Sequence, residues 1–329
     1  MLMGKRHDDV ELLRAPGTLP VLHIASLPCE EQPRRFLIDR LWSQEAVGIL
    51  GGAPKSCKSW LGLDMALSVA SGSAALGHFA VEGRGLALVY LAEDALRVVR
   101  ERVESIARAR GLELPAIDLH VISVSSLRLD RREDLERLRA TLAELRPRLL
   151  LLDPLVRLHS LDENSASEIA QLLGALREIQ RDFHVAVILV HHIRKSASAH
   201  GGQALRGSGD LHAFGDSNLY LRRTRDGLIL TVEHRAAAAP EPVFLTLDDR
   251  DSERVHLRVR ENERSEDGSR DLEGRIECLL AEREPRTRRE IREALAVKNE
   301  RLGAALEQLE LEQSIERSVH GWRRVKTSE

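Results

Sequence analysis

Cysteine is scarce in this chain of 329 residues: Cys29, Cys57 and Cys278 stand far apart, with no C-x-x-C spacing among them. This excludes a disulfide framework and a structural zinc site of the usual spacing, and it suits a reducing, cytoplasmic compartment. Long apolar runs are missing too. No stretch approaches the roughly 18 uninterrupted apolar residues of a membrane span, and no signal-like segment follows the N-terminal charges, so no membrane role is expected. Nor is there a surplus of positive charge, since 49 Lys and Arg meet 52 Asp and Glu for a formal charge of −3. Any nucleic-acid contact must therefore come from local clusters. Internal repeats and low-complexity tracts are also lacking. What the chain does have is a 43% hydrophobic content at a length that accommodates one large domain and a small one.

The segment Gly52-Ala53-Pro54-Lys55-Ser56-Cys57-Lys58-Ser59 follows the phosphate-loop pattern G-x-x-x-x-G-K-[ST] at every position but one, where Cys57 replaces the second glycine. The apolar run 46–50 before it suits a buried strand, and the apolar stretch 60–70 after it suits a buried helix. A loop between strand and helix aims backbone N–H groups and a helix N-terminus at one point, which favours bound phosphate. Lys58 would then reach the β- and γ-phosphates of ATP, and the Ser59 hydroxyl would hold Mg2+. Against this stands an ordinary polar turn with a solvated lysine. Cys57 is the difficult position, because glycine there lets backbone approach phosphate with no Cβ in the way.

Residues 1–40 mix Pro16, Pro20, Pro28 and Pro33 with charges and read as an extended lead-in. From 41 to 260 apolar runs alternate with helical patterns: strands at 86–91, 119–124, 149–153 and 185–190, and helices between them, one opened by a Ser165/Glu168 capping box. Alternation of this kind predicts an α/β fold with a mostly parallel sheet flanked by helices. Past Asp216 the pattern turns to strands alone, at 218–222, 228–233, 243–247 and 255–259, an antiparallel extension of the sheet. Charged and small residues at 261–270 read as a linker. Residues 271–329 give three short helices, the second opened by Thr287 and Glu290, and a hairpin turning near His320 and Gly321: a small winged-helix domain.

Four further groups carry chemistry. Asp153 closes the all-leucine run and suits a carboxylate in a magnesium shell, its competing reading being a turn aspartate before Pro154. Glu93, at the end of the second strand, is the candidate to polarise an attacking water; Asp94 competes with it, and a helix cap is the structural alternative. His191 and His192 close another strand at the edge where α/β sheets bind ligands. Adjacent strand residues face opposite ways, so the pair does not suit a single metal ion; phosphate sensing or a structural role remains. The stretch 193–210 carries Arg194, Lys195 and Arg206 among glycines, a cationic loop suited to single-stranded nucleic acid or to phosphate across a subunit boundary, or else simply solvated.

Gly52 to Ser59, Leu91-Ala92-Glu93-Asp94, Leu152-Asp153-Pro154-Leu155, Val190-His191-His192-Ile193-Arg194-Lys195 and Leu205-Arg206-Gly207-Ser208-Gly209-Asp210 together, and in this order, resemble the RecA-like ATPases. More closely they resemble the RepA-type branch of the hexameric, DnaB-like replicative helicases of plasmids and mobile elements. The resemblance implies that Glu93 activates water, that His191 or His192 senses the γ-phosphate, and that Arg206 acts on a neighbouring subunit's nucleotide. It implies a homo-oligomer, a hexameric ring, with ATP and Mg2+ at subunit boundaries and single-stranded DNA facing the loop that bears Arg194 and Lys195. The winged helix lies outside the resemblance. Its acidic and basic residues nearly cancel, so duplex DNA and a protein partner both stay open as its target. The alternative function is a nucleotide-binding regulator or scaffold in which Cys57 weakens hydrolysis.

Overall fold

Runs of leucine, isoleucine and valine long enough to cross a sheet, with no polar residue in alternation, bury both faces of a strand and call for helices on each side. The computed structural model shows this arrangement; it describes residues 23–26, 36–161, 166–192, 209–224, 227–260, 267–282, 285–295, 297, 299–311, 314–318 and 320–325. The chain divides into two compact units, Met1–Val259 and Arg260–Glu329.

In the first unit β1 (Phe36–Ile38) and β2 (Trp42–Ser43) form a small antiparallel pair. The main elements follow as β3 (Val47–Gly52), α1 (Lys58–Ser71), β4 (Ala87–Leu91), α2 (Leu96–Ala109), β5 (Leu119–Val121), α3 (Arg132–Leu145), β6 (Leu149–Asp153), α4 (Ala166–Phe183), β7 (Ala186–His192), α5 (Gly209–Phe214), β8 (Ser217–Thr224), β9 (Gly227–His234), β10 (Val243–Asp248) and β11 (His256–Val259). One nine-stranded sheet runs in the order β11-β10-β9-β8-β3-β7-β6-β4-β5. The strands from β5 to β8 in this order are parallel, and β9, β10 and β11 continue it antiparallel. Each side of the sheet has its own core. Leu50, Leu151, Ile188 and Val190 pack with α1 and α2, and Ile49, Leu150, Leu152 and Leu189 with α3 and α4.

Three boundaries differ from the sequence expectation. Leu37 and Ile38, inside the expected lead-in, are buried in the core, because their apolar side chains have a place against α1 once the pair β1–β2 forms. The strand expected at 119–124 stops at Val121; as the edge strand it pairs only with β4, although Ile122 and Val124 still pack on the core. Helix structure begins at Asp267, inside the expected linker, since small and acidic residues suit a helix N-terminus as well as they suit a loop. Ser165 lies outside the described residues, so its capping box does too.

A buried ionic network closes the second half of α1. Asp64 pairs with Arg110, which also donates to Ser68 Oγ at 2.7 Å and Ser73 Oγ at 3.0 Å. The Leu76 N–H donates to Asp64 Oδ1 at 2.7 Å. Burial pushes the Asp64 carboxyl upward, and Arg110 opposes the shift.

The second unit comprises α6 (Asp267–Glu282), α7 (Arg288–Leu295), α8 (Asn299–Leu311), β12 (Ile315–Ser318) and β13 (Gly321–Arg324). Leu272, Ile276, Ile291, Leu306 and Ile315 form its core. Thr287 and Glu290 cap α7 reciprocally: the Thr287 N–H donates to Glu290 Oε2 at 2.7 Å, and the Glu290 N–H donates to Thr287 Oγ1 at 3.3 Å. Arg286, ahead of α7, exchanges backbone hydrogen bonds with Trp322 of β13 at 3.0 and 2.8 Å. Among the described residues no helix is long and apolar enough to cross a membrane.

Candidate functional site

Four adjacent parallel strands, β3, β7, β6 and β4, end at the same edge of the sheet, and their register sets which side chains meet there. Gly52 at the end of β3 lies level with His192, and Leu91 at the end of β4 lies level with Asp153. The loop 53–57 leaves β3 at this edge and enters α1. Gly52 is a tight position: a Cβ there would lie 2.6 Å from both Ser56 Oγ and the Leu221 carbonyl oxygen.

Lys58 begins α1 but points back over the loop, donating to the carbonyls of Gly52 and Ala53 at 2.8 Å each. It is buried, and desolvation lowers its pKa to about 8, with the Asp153 charge pulling the other way. Asp153 is pushed up to about 6, first by burial; a hydrogen bond from Ser59 opposes the shift, Asp94 adds to it, and Lys58 opposes it. Asp153 Oδ2 and Ser56 Oγ are buried without a hydrogen-bond partner among the described residues. The approach of Ser59 to Asp153 has a packing cause. Gly62, one turn after Ser59, rests on Leu151 of β6 so closely that a Cβ would fall 3.0 Å from a leucine methyl.

These groups suit a phosphate and its metal. A lysine ammonium, a hydroxyl and a carboxylate with an orphaned oxygen converge on a helix start, and magnesium takes one or two protein oxygens with the rest from phosphate and water. The loop achieves its shape despite Cys57, the N-terminal flanking residue of α1, which holds φ 65° and ψ 23°. Lys55 is also left-handed, at φ 62°.

Glu93 and Asp94 lie beyond β4, where each carboxylate has its own arginine: Glu93 accepts from Arg157 at 2.8 Å, and Asp94 pairs with Arg102, whose guanidinium lies 5.8 Å from the centre of the Trp60 ring. Glu93 is thus at the edge, held by an ion pair that is half exposed. His191 is buried and His192 half-buried. Along β7, Val190 belongs to the core on the α1 side and Leu189 to the core on the α3 and α4 side. Alternation therefore assigns His192 to the face of the loop and Asp153, and His191 to the opposite face. Arg194, Lys195 and Arg206 lie outside the described residues.

One contact was not foreseen from sequence. Arg223, near the end of β8, donates to the Lys55 carbonyl at 3.1 Å and lies 3.7 Å from Cys57 Sγ. The only signal in the sequence is an arginine pair, Arg222 and Arg223, closing an apolar strand; the placement of that strand beside the loop follows from the pairing of β8 with β3.

The model of the AAA domain family (AAA_25) matches residues 14–198, more than half of the chain. A solved structure described as the crystal structure of the RadB recombinase is 17% identical, covering 66% of this chain and 92% of its own, with a TM-score of 0.49. No curated protein matches.

Proposed function

The chain belongs to the AAA domain family, and on that premise we propose that it is an ATP-hydrolysing, RecA-like motor acting on DNA as an oligomer, in the manner of a RepA-type helicase. The observation that carries the reading is the cluster of buried Lys58, half-buried Ser59 and buried Asp153 where the end of β6 meets the start of α1, whose carboxylate keeps one oxygen without a partner among the described residues. Burying such charges costs free energy, and an anionic ligand with its metal would offset that cost.

In this reading the N–H groups of Ala53 and of residues 55–57 receive the phosphates of ATP, and Lys58 exchanges its bonds to the Gly52 and Ala53 carbonyls for bonds to the β- and γ-phosphates. Ser59 and Asp153 would hold Mg2+, which neutralises phosphate charge when bound. Glu93 orients the attacking water once Arg157 releases it; Asp94, bound to Arg102 on α2, serves as a fixed neighbour. Of the two histidines, His192 is assigned the sensing role because its face is that of the loop, and His191 the structural one. Arg206 acts across a subunit boundary, and Arg194 and Lys195 contact single-stranded DNA. These three roles rest on the family resemblance alone.

The second unit is best read as a winged helix that docks a protein. Its third helix, α8, exposes Glu307 and Glu310, a poor surface to lay in a groove lined by phosphates. ATP turnover by the full chain, measured with and without single-stranded DNA, tests the proposal. Stimulated turnover that disappears in Lys58→Ala is expected; no turnover under either condition overturns the motor reading in favour of a nucleotide-binding regulator.

A further inference from the structure

The loop departs from its pattern at Cys57, and the departure has a structural cost. A non-glycine residue in the left-handed region is disfavoured by contact between its Cβ and the backbone, and this loop contains two: Lys55 at φ 62° and Cys57 at φ 65°. Strain of this kind persists only where surrounding contacts hold it. One side chain reaches both residues. Arg223 donates through Nη2 to the carbonyl of Lys55 at 3.1 Å, and the same nitrogen lies 3.7 Å from the sulfur of Cys57.

The sheet explains why Arg223 is available. β8 runs parallel to β3 with Leu221 level with Gly52, so β8 continues past the point where β3 becomes the loop. Leu219 and Leu221 belong to the core on the α1 side, and alternation carries Arg223 onto the same face, beside the loop. Arg222 falls on the other face. A lysine at position 223 would carry its ammonium on a flexible stem, whereas the planar guanidinium fixes the direction of Nη2 and its two hydrogens toward the oxygen and the sulfur at once.

We propose that Arg223 is a positioning residue for nucleotide binding: it holds the loop in its phosphate-accepting shape within the same subunit, and its role is enlarged because position 57 is cysteine. Arg223 and Cys57 form a coupled pair. With cysteine present, the arginine braces two left-handed non-glycine residues; with glycine at 57 only Lys55 remains strained and the sulfur contact is gone, so the arginine loses a large part of its effect. The inference rests on the nucleotide-binding reading above and deepens it.

A double-mutant cycle on the full chain tests this, with Mg2+ and a slowly hydrolysed ATP analogue as the probe and calorimetry as the readout. Arg223→Ala should weaken binding about tenfold, the scale of a lost charge-assisted hydrogen bond. In the Cys57→Gly background the same substitution should cost less than about threefold, and Arg223→Lys in the parent should recover only part of the loss. Where turnover is measurable, the parent substitution raises KM more than it lowers kcat, as expected of a residue that shapes the binding loop. Equal loss in both backgrounds, or full recovery by lysine, overturns the pairing and makes Arg223 a general source of positive charge. No loss in either background removes Arg223 from the site. A parent protein that fails to bind the probe at all overturns the nucleotide reading itself, and with it this inference, so the two failures are distinguishable.

Discussion

The two halves of α1 handle buried charge in opposite ways. At its start, Lys58 and Asp153 lie in the protein with their pKa values pushed toward neutrality, and Asp153 Oδ2 and Ser56 Oγ have no partner among the described residues. Two turns later, Asp64 is equally buried but fully engaged: Arg110 and the Leu76 N–H hold it, and Arg110 in turn reaches Ser68 and Ser73. A closed network of that kind fixes α1 against the segment that follows it, and no bond is left over for a ligand. An open one is a local liability that a bound phosphate and cation would correct. Burial alone does not mark a functional charge; burial with unmet bonding capacity does.

The sharpest way to break this contrast is to remove one charge from each half. Lys58→Ala is expected to lower ATP turnover by about 10³-fold, the scale of a lost electrostatic contact to a developing charge, with the thermal midpoint changed little. A steady-state assay beside a melting curve checks both. Asp64→Ala should do the reverse. It strands a guanidinium that is only 11% exposed and should cost roughly 3 kcal/mol or more of stability in urea unfolding, with nucleotide affinity of the folded protein unchanged.

A smaller effect has an unusual sign. Because burial raises Asp153 to about 6 from the ordinary 3.8, the folded state favours its protonated form, and the ionised form destabilises the fold once pH exceeds the unfolded value. Without magnesium and nucleotide, Asp153→Asn is therefore expected to stabilise the protein at pH 7.5 by about 1–3 kcal/mol, although it abolishes turnover. The gain should shrink as pH falls from about 6 toward 4, which thermal melts across that range would reveal. Stabilisation that persists undiminished at the acid end would contradict the assignment of the cost to this carboxylate.

The smallest effect is on the pH profile of binding. Affinity for magnesium and nucleotide should be highest between the two shifted groups, falling below about 6 as Asp153 takes a proton and above about 8 as Lys58 loses one. One pH unit beyond either value should cost about tenfold, measured by calorimetry at constant ionic strength. A flat profile from pH 5 to 9 would place the binding charge elsewhere.

Much of this site was legible in the sequence because its parts are local. The loop, Lys58 and Ser59 are consecutive, and Asp153 and the histidines close apolar runs that only a buried strand explains. What was not legible depends on pairing between distant segments. Arg223 reaches the loop because β8 lies beside β3, and Arg110 meets Asp64 from just past the end of α2, one βα step later; no spacing in the sequence encodes either contact. Which of His191 and His192 shares a sheet face with Asp153 needed the alternation along β7 and the identity of the cores on each face. The start of the fold was missed for another reason. Prolines and charges over residues 1–35 obscured the short apolar segment Phe36–Ile38, of which Leu37 and Ile38 are buried.

The most direct test of the contrast is the shift in thermal midpoint on adding saturating magnesium and ATP analogue to the parent chain, Lys58→Ala and Asp64→Asn. A ligand present at 100 times its dissociation constant adds about 2.7 kcal/mol to a state that binds it. The parent and Asp64→Asn should both rise by several degrees from their different starting points, and Lys58→Ala should not move. An equal rise in all three, or none in the parent, would contradict the claim that the open charges at the start of α1 form the nucleotide site.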